Sequence, residues 1–151
     1  MPSPERKASK LRIRPMEPED IDAVLIIDRK ISGVRRAVSY TDLITGDLGG
    51  VLDLSFVAEV NGQIVGLILA RRAYVGEPVV EVGLIQILGV DPDYQKQGIA
   101  TKLVESLLET SRAEKLRAIR IMVKENDSQL QAFFARMGFR RGHLIDYTKE
   151  L

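Results

Sequence analysis

A chain of 151 residues, 45% hydrophobic and 28% charged, is long enough to bury one substantial core and polar enough for an ordinary globular domain. Its 22 Lys and Arg against 21 Asp and Glu leave a net charge of +1, which supplies no electrostatic footprint for nucleic acid or an anionic membrane. With no cysteine and one histidine, His143, the composition excludes disulfides, an acyl-cysteine intermediate and a Cys/His metal cluster.

The first ten residues carry proline and charge with nothing to bury, so 1–10 reads as a disordered tail and 11–151 as a single domain. The tail lacks the apolar centre of a signal peptide, and the longest apolar run, 64–70, is too short to span a bilayer. A cytoplasmic location is the expectation.

Alternation predicts a short strand over 11–14. Pro18, Glu19 and Asp20 then suit a first helical turn, and Ile21, Val24, Leu25, Asp28 and Ile31 fall on one face of the helix that follows. Ser32 and Gly33 end it. A weaker helical pattern runs over 34–47, and Gly46, Gly49 and Gly50 break it. Strands are expected at 55–60 and 63–75, joined by Asn61-Gly62, the pair that best tolerates a type I′ turn. A third strand, 79–90, completes an antiparallel meander. Gly89 within it suggests a bulge or the close approach of a ligand. A helix over 99–110, a buried strand over 118–123, a Phe-rich helix and a last strand over 144–151 give the order β-α-α-β-β-β-α-β-α-β.

Chemistry concentrates where the third strand meets the next helix, in Val90-Asp91-Pro92-Asp93-Tyr94-Gln95-Lys96-Gln97-Gly98-Ile99-Ala100-Thr101. The first N–H groups of a helix lack intrahelical partners and lie at the positive end of its dipole, so they suit an anion. Gly98 has no Cβ to keep that anion away. The spacing Gln95, Gly98, Ala100 is neither the nucleotide P-loop nor the dinucleotide Gly-x-Gly-x-x-Gly. Downstream, 126–139 reads as a capped helix. Asn126 is the expected N-cap, Gln129 sits three residues on, Leu130, Phe133, Phe134 and Met137 share a face, and Gly138 stops it.

The Gln-x-x-Gly-x-Ala loop resembles the pyrophosphate loop of the GNAT acetyltransferase superfamily, Arg/Gln-x-x-Gly-x-Gly/Ala. Residues 126–139 are similar to that family's Asn-x-x-Ala-x-x-Phe-Tyr-x-x-x-Gly-Phe ending, with one extra residue before the Ala. The resemblance spans 11–151. It implies an α/β GNAT fold, with a central twisted mixed sheet of about six to seven strands and flanking helices. It implies acetyl-CoA as cosubstrate, with the pantetheine arm pairing to the backbone of Leu88, Gly89 and Val90 where two strands splay apart. The pyrophosphate would sit on Gln95, Lys96, Gln97, Gly98, Ile99, Ala100 and Thr101, and Asn126, Phe133 and Phe134 would complete the cofactor site. No metal is implied. The resemblance leaves a homodimer open.

The reaction so implied is N-acetyl transfer to a primary amine, on a small molecule or a protein. No Ser/His/Asp or Cys/His set is present, so direct transfer is the economical route. The family's usual general acid is the Tyr of the Phe-Tyr pair, and here that position is Phe134. Tyr147 or Tyr94 are the candidate replacements, with Tyr94 read chiefly as a brace for the loop. Where many relatives carry a carboxylate on the strand entering the loop, this chain has Gln86, which can orient an amine or water but cannot take a proton. Glu81, earlier on the same strand, is the candidate base or else an edge-strand charge, in which case a water chain to solvent would take the proton. Asp28 could greet a cationic acceptor or be a polar point on the helix flank, and Arg71-Arg72 reads as solvated surface or, alternatively, as a contact for an anionic substrate. A weakly catalytic acyl-CoA-binding module is the alternative reading. The acceptor itself is not legible.

Overall fold

The structure, a computed structural model, describes residues 10–32 and 52–151. Residues 1–9 of the expected tail 1–10, and the helical pattern at 34–47, lie outside the described residues.

The meander forms as the alternation dictates. Strands β1 (Leu11–Pro15), β2 (Phe56–Val60), β3 (Gln63–Val75) and β4 (Val80–Val90) pair antiparallel in sequence order, and β5 (Ile119–Ile121) joins β4 in parallel. At the β2–β3 turn Asn61 and Gly62 have φ of 54° and 77°, the two positive angles that a type I′ hairpin requires.

The helices cover both faces of this mixed sheet. A 3-10 turn (Pro18–Asp20) leads into α1 (Ile21–Ser32), whose Val24 and Ile27 pack on Val57, Leu67, Leu69 and Ile87. On the opposite face α2 (Ile99–Ala113) sets Ile99, Leu103, Val104 and Leu107 against Ile68, Ala70 and Ile85, and α3 (Ser128–Arg136) adds Phe134. Neighbouring residues of β3 thus serve opposite cores, as a strand's period of two demands. Among the described residues no helix is long and apolar enough to cross a membrane.

The sheet has five strands among the described residues, fewer than the expected six to seven. The expected last strand is missing: 140–151 has no regular structure, and every residue in it is exposed. A strand is held by the edge it pairs with, and alternation alone does not supply one.

The entry to α1 is clamped by charge. Arg14 donates two 2.8 Å hydrogen bonds to the Asp20 carboxylate, which also accepts the Glu17 backbone N–H at 2.8 Å. Asp20 is buried. The guanidinium, aided by the Glu17 N–H, holds its carboxyl below the ordinary carboxylate range. Its stabilising effect is therefore complete above the unfolded value near pH ~3.9 and is lost as pH falls through the lower folded value. Asp20→Asn should lower unfolding stability by about 2–3 kcal/mol at neutral pH, because it weakens a largely buried ionic clamp. Thermal melts of the two proteins should stay apart from pH 8 to 5 and converge below roughly pH 4. A gap that persists undiminished at low pH would show that the charge is not what matters.

Candidate active site

β4 is the strand on which the site is built. Its parallel pairing with β5 covers residues 83–85 against 119–121, after which β4 runs on to Val90 paired with β3. Toward β5, the backbone of residues 86–90 therefore has no ladder partner among the described residues. The fork has a local cause. Leu69 pairs with Ile87 and Ala70 with Ile85, so Gln86 is an extra residue without a partner on β3. A bulge of this kind bends its strand and increases its twist, and here it falls at the last β4–β5 pair. Gln86 is half-buried at the crotch of the fork.

Gly89 is not the bulge that the sequence suggested. It sits in regular register opposite Leu67. Its close neighbour is α1: a Cβ at Gly89 would lie 2.9 Å from Ile31 Cδ1. A Cβ there would require the tip of the Ile31 side chain to move.

The chain leaves β4 through a braced loop. Asp91 accepts the Asp93 N–H at 3.0 Å, which caps the 3-10 turn Pro92–Tyr94, while its own N–H reaches Val65 O at 2.7 Å. Gln95 Nε2 donates back to Val90 O at 3.1 Å, and the Tyr94 ring packs on the core as the expected brace. Lys96 and Gly98 take φ of 64° and 79°, and Gly98 is the N-cap of α2 with no side chain over the helix end. A Cβ built there meets nothing within 4 Å. No side chain caps the N-terminus of α2, and the space beside Gly98 is open with the positive end of the helix dipole behind it.

Sequence reasoning missed a tie across this site. Lys30, near the end of α1, donates to Asp91 Oδ2 at 2.9 Å across 61 residues of sequence. Asp91 is 3% exposed, and the Lys30 ammonium with the Asp93 N–H holds its carboxyl below the usual range. The Asp-Pro-Asp turn signals the cap. Nothing local signals the lysine.

The second motif is shifted by one residue. The N-cap of α3 is Asp127, whose Oδ1 accepts the Leu130 N–H at 3.0 Å; it is not Asn126. Gln131, rather than Gln129, reaches back, donating to Lys124 O and Glu125 O. The extra residue before Ala132 moves the cap forward by one. Gly138, with φ of 90°, ends the helix as expected.

These are the parts of a known architecture, and sequence comparison agrees. The sequence profile of the acetyltransferase (GNAT) family matches residues 28–139. The chain belongs to that family. An acetyltransferase of Pectobacterium atrosepticum is 28% identical over 141 residues, covering 93% of this chain and 96% of that protein. Among solved structures, the aminoglycoside acetyltransferase AAC(6')-Iy in complex with a bisubstrate analogue superposes with a TM-score of 0.77 at 17% identity, covering 95% of this chain and all of that one. Naa50 of Arabidopsis thaliana, bound to a CoA–peptide bisubstrate analogue, superposes at 0.69 with 21% identity, covering 88% and 85%. At such identities the structures establish the fold.

The candidate catalytic groups of this family member do not converge. Glu81 lies five residues before Gln86, about 16 Å along the strand, opposite Tyr74. It joins Arg72 at 3.8 Å, and the same guanidinium reaches Asp53 at 2.6 Å and Glu114 at 3.5 Å. Arg72, read from sequence as solvated surface, is thus the hub of an ion cluster far from the loop. Tyr147 is 88% exposed within the unpaired 140–151 segment. Asp28 is buried on α1. Only Gln86 stands at the fork.

Phe134 is a core residue at 4% exposure, its ring edge-on to Phe133 at 5.1 Å and Phe139 at 5.0 Å. Phe133 is the half-buried member of the pair. A hydroxyl on the Phe134 ring would enter this apolar cluster. Phe134→Tyr should therefore cost about 1–3 kcal/mol of stability, the penalty for an unsatisfied buried polar group, with no gain in turnover. Chemical denaturation and initial rates read the two effects separately. A faster enzyme would show that the hydroxyl reaches the departing sulfur.

Proposed function

We propose that this family member transfers an acetyl group from acetyl-CoA directly to a primary amine. The observation that carries the reading is the open edge of β4 over residues 86–90, on the side away from β3, which leads through the braced loop to the N-terminus of α2. A pantetheine arm is a flexible chain of amides that can pair with a free strand edge, and a pyrophosphate is the anion a bare helix end accepts. The fork and the helix end present these two features in the order in which CoA carries them. Lys96 adds a point charge beside the phosphates, and the half-buried Phe133 is better placed than Phe134 for apolar contact with the cofactor. The amine as acceptor class is supported by the bisubstrate complexes of the aminoglycoside and peptide enzymes.

In this reading the amine nitrogen bonds to the thioester carbon, the carbonyl oxygen gains negative charge, and the C–S bond then breaks to release CoA. A backbone N–H on the open edge near Leu88, Gly89 and Val90 stabilises the oxyanion. Gln86, at the crotch, orients the amine by hydrogen bonding. The amine proton passes to water, since the Glu81 carboxylate is engaged with Arg72. CoA leaves as a thiolate or takes its proton from solvent, since Phe134 cannot donate one. The Lys30–Asp91 tie links α1 to the cofactor loop, so a shift of α1 on the acceptor side reaches the loop directly.

The test is a panel of amines, including an aminoglycoside and a free peptide N-terminus, read by release of the CoA thiol. With an accepted amine, initial rates at varied concentrations of both substrates should give intersecting lines. Parallel lines would mean a covalent acetyl-enzyme and overturn direct transfer. CoA binding without turnover on any amine would favour the alternative of an acyl-CoA-binding module, the reading that Phe134 in place of Tyr supports.

A further inference from the structure

We propose that Lys30 is a positioning residue for acetyl-CoA: from the last turn of α1 it compensates the buried carboxylate of Asp91 at the root of the cofactor loop. The proposal rests on reading residues 86–101 as the cofactor site. Residues 90–101 carry two acidic groups, Asp91 and Asp93, against one basic group, Lys96, a net charge of −1. That balance opposes a pyrophosphate, since like charges repel. Asp93 is exposed, so water and salt screen its charge. Asp91 is buried, so its charge is screened far less. Lys30 supplies the missing cation from another element.

Every polar group of Asp91 is engaged. Its N–H donates to Val65 O at 2.7 Å, its carbonyl accepts the Tyr94 N–H at 2.8 Å, and Oδ1 accepts the Asp93 N–H at 3.0 Å. Oδ2 accepts the Lys30 ammonium at 2.9 Å. The carboxylate thus shapes the loop through one oxygen and is neutralised through the other. The rest of the loop is built on that turn: Gln95 Nε2 returns to Val90 O at 3.1 Å, and Gly98 caps α2 three residues later. Gly89 leaves room for the lysine's approach, because its missing Cβ would lie 2.9 Å from Ile31 Cδ1, on the residue after Lys30. The Lys30 side chain is 46% exposed, so replacing it removes charge and little packing. What remains is a buried carboxylate without its cation, which is more damaging than the loss of an exposed ion pair. That carboxylate either faces the phosphates uncompensated or turns to water and carries the Pro92–Tyr94 turn with it.

A double-mutant cycle read by calorimetric titration with CoA tests the proposal. Lys30→Met should weaken CoA binding by at least about tenfold in the native background. In the Asp91→Asn background the amide oxygen still accepts the Asp93 N–H but carries no charge. There the same Lys30→Met change should cost less than about threefold. Lys30→Arg keeps the charge and should stay within about threefold of native. If circular dichroism shows that Lys30→Met does not fold, Lys30→Gln, which keeps a donor without the charge, takes its place in the cycle. An unchanged affinity in the Lys30 variant overturns the proposal. So does an equal loss in both backgrounds, which would show that Lys30 acts without Asp91. Failure of the underlying reading looks different: the native chain would not bind CoA, or Gly98→Glu would bind it as well as the native chain does, and the proposal would fall with that reading.

Discussion

Gly98→Glu should lower CoA affinity by at least about 100-fold, equivalent to roughly 2.8 kcal/mol. Two losses combine. The carboxylate stands where the pyrophosphate would lie, and like charges at that range repel. The side chain also occupies the helix end that presents the free N–H groups. The substitution should be gentle to the fold. A Cβ at Gly98 meets no atom within 4 Å, so the cost inside the protein is the φ of 79°, about 1–2 kcal/mol for a residue other than glycine. Calorimetric titration with CoA, paired with a thermal melt, separates binding from folding. Gly98→Ala is the comparator: it carries the same backbone strain without charge and should lose less affinity. If Gly98→Glu binds CoA as the native chain does, the cofactor does not use this loop.

Gln86→Ala should cut turnover on the order of 100-fold while CoA affinity stays nearly unchanged, by analogy with losing one positioned polar group at a reacting carbonyl. The expectation rests on place. Gln86 is the bulged residue where β4 and β5 part, at the inner end of the open edge. The cofactor would meet that edge through backbone, so a side chain at the crotch is free to serve the acceptor. Gln86→Glu keeps the shape and adds a base, and it should retain more activity than Gln86→Ala. Glu81→Gln is the control. It loosens the Arg72 cluster at the other end of β4 and should leave turnover within about threefold of native, since the pair is part-exposed and such pairs contribute little. If Glu81→Gln abolishes activity and Gln86→Ala does not, the proton acceptor is Glu81.

Much of the local backbone was legible in the sequence. The strand–loop–helix junction at residues 90–101, the type I′ turn at Asn61-Gly62 and the stop at Gly138 each depend on a few adjacent residues whose backbone preferences are strong. The local geometry they imply is the geometry found. The alternating and 3.6-residue patterns likewise placed β1 to β4 and the first helix to within a residue or two, because burial on one face is a local pattern.

Tertiary structure decided what depends on residues far apart in sequence. Gly89 looked like a bulge by composition, but a bulge is a mismatch between two strands, and the count against β3 puts it at Gln86. Glu81 and Gln86 looked like rival candidates for the acceptor side on one strand, but Glu81 pairs with Arg72, which Asp53 and Glu114 also hold. Lys30 carried no signal because its partner, Asp91, is 61 residues away. The segment 144–151 reads as a strand in sequence and is unpaired in the fold. The sequence by itself determined which residues prefer to be extended, helical, buried or turned, since those preferences reside in each residue and its near neighbours. Which edge meets which strand, and which charge meets which, was settled only by packing, because a hydrogen-bond ladder or an ion pair exists only when its second half arrives.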